Sequence, residues 1–354
     1  MKMIFRKMKK KQLHIIVGLA GALVISAVVM LVWPHAQPDA EVGGATASAS
    51  PSFSYFSRLD GEGVLTKEEE IPSVVAIMID NHPDAWPQSG IVDARVVYEA
   101  PAEGGITRYL AIFDKNQNVD EVGPVRSARA YYLDWTREYG NPPYMHVGGS
   151  PEALRLLKVY KMWDADQFFW PYYWRSRAKL APHNVYTSAE LWNKLFADYG
   201  ARHPAQEWDG WTFAPPAALA SVNASSSLKE ITIKYGSGYV VSWQFSTTTN
   251  RYARFINGRP HKDSQGVQVM ADNLLIQTAA VQILDDEGRK EIGTVGNGEA
   301  RIITGGQLKH GTWKKETATS RTRFYSEDGK EAVLTPGQTW VQVVPVGATI
   351  EVTN

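Results

Sequence analysis

Two nearby stretches decide the fold: 74–82 (VVAIMIDNH) and 96–113 (VVYEAPAEGGITRYLAIF). The apolar run at 74–79 predicts a buried strand, and Asp80, Asn81 and His82 follow it directly. In the second stretch an apolar run resumes at 109–113, which predicts a hairpin or crossover partner for the strand before it. Polar side chains therefore collect where the predicted strands end.

The loops around these strands are rich in carboxylates and guanidinium groups. Glu99, Glu103 and Arg108 lie in the loop between the strands, and Arg126 and Arg129 lie in the following loop, VGPVRSAR. Guanidinium groups suit bidentate contacts to phosphate or carboxylate. The sequence leaves two interpretations equally open, an anion-binding site or internal ion pairs with the nearby carboxylates.

The first 33 residues differ from the rest of the chain. A basic segment, 1–12, precedes an uncharged run from Leu13 to Trp33, which has about the 20 residues that cross a bilayer. We predict a single-pass transmembrane signal-anchor helix with a cytoplasmic N-terminus, so that the globular domains lie outside the cell membrane. A cleavable signal peptide is the alternative, because small residues follow at Ala36 and Ala40. Residues 34–55 are a flexible linker.

Composition limits the remaining classes of protein. The 354 residues are 44% hydrophobic, which is enough for two domains with real cores, and the formal net charge is zero. A nucleic-acid binder would show a basic excess, so no nucleic-acid partner is expected. The sequence contains no cysteine, which excludes disulfides, thiolate nucleophiles and cysteine-linked lipids.

Residues 56–205 predict an α/β (or α+β) domain. Helical spacing occurs at 130–139, 151–157 and 189–196, and a short strand at 144–147 runs into Gly148, Gly149 and Ser150. The loops at the carboxyl ends of strands are the expected mouth of a pocket. The two glycines are interpreted either as an anion site at a helix N-terminus or simply as a tight turn. The aromatic stretch 162–174 is either a core segment or a platform for sugar rings beside Arg175 and Arg177.

The pattern then changes to strands of period two. Residues 206–227 are rich in Pro, Ala and Ser and are predicted to be a linker. Residues 228–354 predict a small all-β domain, a sandwich or barrel, with frequent glycine turns. This domain could dock a protein partner. Asp285–Glu287 is expected to be a solvated hairpin tip.

Several motifs together resemble the YerB-like bacterial envelope proteins. They include AIMIDNH at 76–82, EGGITR at 103–108, GPVRSAR at 123–129, HVGGS at 146–150 and APHN at 181–184, with GTWKK at 311–315 in the second half. Many members of that family are lipoproteins anchored through a cysteine, so the resemblance implies that this chain uses the Leu13–Trp33 helix instead. It implies no reaction. The order of elements is also loosely similar to that of the LytR-CpsA-Psr phosphotransferases.

The predicted function is binding of an anionic cell-wall glycan or lipid-phosphate ligand by Glu- and Arg-rich loops. The alternatives are an envelope phosphotransferase or glycan hydrolase that uses the loop carboxylates, and a non-enzymatic scaffold of the cell wall. No cofactor or metal is predicted, because the histidines show no close-spaced motif. The predicted ligand-binding residues are Asp80, Asn81, His82, Glu99, Glu103, Arg108, Arg126, Arg129, Gly148, Gly149, Ser150, Arg175, Arg177, His183 and Asn184. The candidate catalytic residues are Glu99, Glu103, His146 and His183.

Overall fold

The computed structural model describes residues 53–215, 228–236 and 238–354, and residues 53–354 form one compact unit. The predicted transmembrane helix Leu13–Trp33 and most of the predicted linker 34–55 lie outside the described residues. Within the described ranges, no helix is both long enough and apolar enough to cross a membrane.

Strands dominate the secondary structure of the described residues, which also contain three short α-helices. The helices are α1 (Ala130–Thr136), α2 (Pro151–Val159) and α3 (Ala189–Tyr199). The strands are β1 (Tyr55–Phe56), β2 (Gly63–Val64), β3 (Val74–Ile79), β4 (Val96–Pro101), β5 (Thr107–Asp114), β6 (Tyr144–His146), β7 (Asp164–Asp166), β8 (Trp174–Arg175), β9 (Val185–Tyr186), β10 (Thr212–Phe213), β11 (Glu230–Gly236), β12 (Tyr239–Ser246), β13 (Arg251–Ile256), β14 (Arg259–Pro260), β15 (Met270–Ala271), β16 (Asn273–Ala279), β17 (Val281–Ile283), β18 (Lys290–Ile292), β19 (Gly296–Thr304), β20 (Gln307–Lys315), β21 (Arg323–Ser326), β22 (Val333–Leu334), β23 (Thr339–Pro345) and β24 (Thr349–Thr353). Single 3-10 turns lie at Lys67–Glu70, Pro83–Ala85, Ile91–Asp93, Glu103–Gly105, Arg137–Tyr139 and Gly200–Arg202.

A mixed sheet of ten strands runs through the unit, in the order β21-β20-β19-β16-β23-β4-β5-β3-β6-β7. Strand β5 is antiparallel to both β3 and β4, as the hairpin interpretation predicts. Strands β3, β6 and β7 are parallel neighbours. Their carboxyl ends therefore meet at one edge of the sheet, where Asp80, Gly148 and Gln167 follow them.

Both faces of this sheet are covered, which explains the continuous apolar run in β3. Val75, Ile77 and Ile79 point into one core, with α3 and the second sheet. Val74, Ala76 and Met78 point into the opposite core, with α1 and α2. The second sheet has the order β14-β13-β12-β11-β24, with β15 beside β13.

The three helices predicted within residues 56–205 and the strand-rich second half are confirmed, but the second half is not a separate sandwich or barrel. Strands β16, β19, β20, β21 and β23 instead extend the first sheet, because β23 pairs in parallel with β4 over Thr339–Gln342. Part of the predicted linker is also packed. Trp208 and Trp211 are buried, and β10 pairs with β22, whereas 216–227 lie outside the described residues.

Candidate functional site

A cleft opens beyond the carboxyl ends of β3, β6 and β7. Its volume is about 570 Å³, and we call it the strand-end cleft. It is lined by Arg126, Ser127, Val147, Gly148, Gly149, Leu154, Asp166, Phe168, Phe169, Arg175, Ala181 and Pro182. Ligands of open α/β sheets bind at this kind of edge. Five of the lining residues come from the two loops that follow β6 and β7, including the strand-to-helix turn into α2, and Asp166 is the last residue of β7.

One guanidinium group of the cleft, Arg126, is held by a buried carboxylate. Asp80 Oδ2 lies 3.0 Å from Arg126 Nε and 2.7 Å from His183 Nδ1. The contact between Arg126 and Asp80 is an ion pair whose geometry does not make a hydrogen bond, since Arg126 Nε has no hydrogen-bond partner. The ring of His82 stacks on that of His183, with centroids 4.7 Å apart. The residues that follow β3 therefore join the edge of the cleft.

The second guanidinium group, Arg175, has neutral partners. Its Nη1 donates to Asn184 Oδ1 at 2.9 Å and its Nη2 donates to Gln167 Oε1 at 2.8 Å. Arg175 is exposed, and so is Arg177 two residues further along. The charge of Arg175 is therefore not balanced by a carboxylate in contact with it.

Two exposed aromatic rings form a wall of the cleft. Phe168 is 65% exposed and Phe169 is 80% exposed, although Tyr172 in the same stretch is buried. Gly148 has φ +57°, and a Cβ added there would lie 3.2 Å from the Phe168 ring. The glycine is therefore needed both for its left-handed backbone and for the close approach of this ring. The aromatic stretch is thus divided between core and cleft.

The cleft also contains an acidic group. Asp166 is 3% exposed, and its Oδ1 accepts the amide N–H groups of Gly148 at 2.9 Å and Phe168 at 3.1 Å. Asp166 thus fixes the loop that carries the aromatic wall. Asp80 and Asp166 together equal Arg126 and Arg175 in number of charges. Because Arg175 has no carboxylate in contact with it, the positive charge is concentrated on the side of the cleft that carries Arg175.

Glu103 forms a separate ion-pair cluster with Arg129 and Arg108. Arg129 Nε and Nη2 donate to the two carboxylate oxygens of Glu103 at 2.5 and 2.9 Å, and Arg108 Nη2 lies 3.5 Å away. Burial raises the pKa of Glu103, but the Arg129 hydrogen bond and the Arg108 charge outweigh burial and leave the pKa below its ordinary value. Arg108 also donates to the Ser127 carbonyl at 2.8 Å, which ties this cluster to the loop of the cleft.

This ion pair borders another hollow rather than the strand-end cleft. Arg129 and Ser150 line a space of about 690 Å³ between α1, α2 and the β17–β18 hairpin. Ser150 caps α2 by accepting the Ala153 amide N–H at 3.3 Å. The predicted set of residues is therefore divided between two neighbouring hollows.

Glu99 lies outside both hollows, and its predicted role as a general acid or base needs correction. It is 0% exposed and accepts hydrogen bonds from Thr107, Tyr239 and Gln342 at 2.6 to 2.9 Å. Arg254 Nη2, which is also buried, lies 2.8 and 2.7 Å from its two oxygens. A carboxylate with this set of partners, and without access to solvent, joins the two sheets. Asn81 belongs to the same buried network through Thr107 and Tyr239.

His146 is likewise inaccessible. It is 0% exposed, and its ring nitrogens contact the Gly148 carbonyl at 2.8 Å and Asp164 Oδ1 at 2.9 Å. With both nitrogens engaged, His146 holds the turn after β6 in place and offers no free atom to a substrate. Among the four candidate catalytic residues, only Glu103 and His183 keep any side-chain exposure, 21% and 12%.

The structure therefore brings together Asp80, His82, Arg126, Gly148, Gly149, Arg175, His183 and Asn184. Sequence reasoning missed Asp166 as a lining residue, and it left open whether the aromatic stretch with Phe168 and Phe169 was core or an exposed platform. The available signal was Asp166 itself, a carboxylate at the end of a short Asp-Ala-Asp segment that comes just before the two phenylalanines.

Comparison with known proteins identifies the class. The fold is a mixed α/β sheet continued by a strand-rich region, and two family models match it in turn. Residues 61–202 match "Protein of unknown function (DUF3048) N-terminal domain" and residues 231–341 match the corresponding C-terminal domain. The chain belongs to this YerB-like family of two-domain proteins.

A relative and a solved structure give the same result. The chain is 31% identical over 277 residues to "Putative lipoprotein YerB" of Bacillus subtilis (strain 168), which covers 77% of this chain and 81% of the relative. It is also similar to the crystal structure of YerB protein from Bacillus subtilis, with a TM-score of 0.73 and 29% identity over 84% of this chain and 99% of that one.

Proposed function

We propose that the chain is a membrane-anchored envelope protein that binds an amphiphilic phosphate ligand in the strand-end cleft. The relative YerB of Bacillus subtilis is named as a lipoprotein. Because this sequence contains no cysteine, we assign the anchor to Leu13–Trp33 rather than to a cysteine-linked lipid. An anchored chain of this orientation is exposed outside the cell membrane, where lipid-linked phosphates and wall glycans occur.

The observation that carries the proposal is the pairing of Arg175 with exposed aromatic rings. A guanidinium group whose contacts are neutral amide oxygens retains its charge for a ligand. Phe168 and Phe169 offer apolar surface beside it. A lipid phosphate or a phosphorylated glycan combines the two properties that these groups recognise.

The enzymatic alternatives have less support. A glycan hydrolase would need two accessible carboxylates, and Glu99 is buried. Glu103 has a lowered pKa and a bidentate arginine partner, so it is a poor general acid at neutral pH. A binding function therefore fits the described geometry better than turnover by these two residues.

The experiment measures binding of a polyprenyl phosphate to the full chain in detergent micelles. The uncharged polyprenol and a soluble glycerol-phosphate polymer are the comparison probes, since they separate a lipid from a glycan source of the phosphate. We expect Arg126→Ala with Arg175→Ala to weaken phosphate binding by at least about 100-fold, because two charged hydrogen bonds at about 1.5–3 kcal/mol each are removed.

The matched control is Arg155→Ala, because Arg155 is an exposed arginine that pairs only with Glu152 on α2. It should bind like the wild type. The proposal fails if neither phosphate probe binds, or if the double variant binds as tightly as Arg155→Ala does.

A further inference from the structure

We propose that His82, Asp84 and His183 form a binding site for a divalent transition metal, with Zn²⁺ as the best match. One ring nitrogen of each histidine and one carboxylate oxygen of Asp84 all lie within 4.8 Å of one another. The site lies beside the proposed phosphate site, but the proposal of a metal does not depend on it. It also differs from the sequence prediction, which assigned no metal to these residues.

The tautomers support metal binding at His82. The Asp84 amide N–H donates to His82 Nδ1 at 3.2 Å, so this nitrogen presents its lone pair. A metal ligand needs that same lone pair. The hydrogen bond is long and lies at the surface, where water can replace the ring nitrogen as the acceptor. A cation could therefore replace the Asp84 amide N–H at His82 Nδ1 at a small cost in free energy.

The separation of the first two ligands fits a tetrahedral metal. His82 Nδ1 lies 3.6 Å from Asp84 Oδ2. Bonds of about 2.0–2.1 Å to zinc at a tetrahedral angle give a ligand separation of about 3.3–3.4 Å. The observed distance therefore needs to contract by only a few tenths of an ångström. The two side chains are 45% and 75% exposed, so both are free to adjust.

The third ligand is already oriented. Asp80, which is 3% exposed at its side chain, lies 2.7 Å from His183 Nδ1. A carboxylate on one ring nitrogen holds the other, Nε2, as the free ligand atom, and this arrangement is common around zinc. Because Asp80 also contacts Arg126, a metal here would lie beside the strand-end cleft and add positive charge to it. Two histidines and one carboxylate leave a coordination position for water or a ligand oxygen.

The test is calorimetric titration of the metal-free full chain, in detergent, with Zn²⁺ alone. Co²⁺ absorption then reports the coordination geometry. We expect one saturable equivalent and a four-coordinate Co²⁺ spectrum. His82→Ala and His183→Gln should each weaken binding at least tenfold, and Asp80→Asn should weaken it by about 10- to 100-fold through the orientation of His183.

His310→Ala is the control, because His310 is exposed on β20 and distant in sequence from the three ligands. It should bind Zn²⁺ like the wild type. His82 is half-exposed, so His82→Ala tests the site without disturbing the core. Absence of saturable Zn²⁺ binding, or equal affinity in His82→Ala and His310→Ala, would overturn the proposal. Neither result bears on phosphate binding, because the titration contains no anionic ligand.

Discussion

Replacing Glu99 by glutamine distinguishes a structural carboxylate from a chemical one. Glu99 and Arg254 are both 0% exposed, and the pair joins β4 of the long sheet to β13 of the second sheet. Glutamine keeps the shape but removes the charge. Its amide nitrogen would also face the donating groups of Gln342 or Arg254, where an acceptor is required.

The expected loss of stability follows from this geometry. Burial lowers the pKa of Arg254, but Glu99 together with Tyr109 and Tyr239 outweighs burial and leaves the pKa well above its ordinary value. When Glu99 is neutralised the guanidinium group stays charged, because arginine does not lose its proton at neutral pH, and its charge is then buried without a carboxylate partner. Removing one partner of a buried ion pair costs about 3–5 kcal/mol. For a unit of this size the corresponding drop in Tm is roughly 6–10 °C.

The assay is thermal and urea unfolding of the full chain followed by circular dichroism. The matched control is Glu299→Gln on β19, since Glu299 is exposed and should change the unfolding free energy by about 0.5 kcal/mol or less. A Glu99→Gln protein as stable as this control would refute the structural assignment. Loss of ligand binding or turnover with unchanged stability would point instead to a chemical role.

Three further results are expected. Burial raises the pKa of Glu138, but Lys315 and Arg321 outweigh burial and leave the pKa below the ordinary 4.5. The contribution of Glu138 to the free energy of unfolding is therefore present above pH 4.5 and is lost as the pH falls below it. Glu138→Gln should therefore flatten the acid limb of a plot of unfolding free energy against pH, and an unchanged slope would contradict the assignment. Phe168→Ala with Phe169→Ala should leave Tm nearly unchanged, because both rings are exposed, while weakening polyprenyl phosphate binding measurably; equal binding would remove the aromatic wall from the site. Glu103→Gln should lower the unfolding free energy by about 1–3 kcal/mol without abolishing phosphate binding, since it removes the charge that Arg129 contacts through two hydrogen bonds; loss of binding at unchanged stability would argue for a direct role.

Local sequence patterns were sufficient to predict β3, β5 and the turn from β6 into α2. The apolar run at 74–79 and the Gly-Gly-Ser-Pro sequence at 148–151 carry their own structural signals. They also placed Asp80, Gly148 and Arg126 at one edge of the sheet. These elements depend on neighbours in sequence, which is why a single sequence could predict them.

The environment of Glu99 could not be predicted from its neighbours. Its partner Arg254 comes from β13, where Tyr252, Arg254 and Ile256 alternate toward the core. An arginine at an inward position of a period-two strand was a signal for a buried carboxylate partner, but not for which one. The pairing of β23 with β4 is equally long-range, so the sequence could not show that strands of the second half extend the sheet of the first.

The most direct test of the central claim is a crystal structure of the full chain with a short-chain polyprenyl phosphate bound. We predict phosphate oxygens about 2.7–3.2 Å from the guanidinium nitrogens of Arg126 or Arg175, with the chain lying along Phe168 and Phe169. A phosphate bound elsewhere, or a strand-end cleft left unoccupied at saturating ligand, would contradict the account.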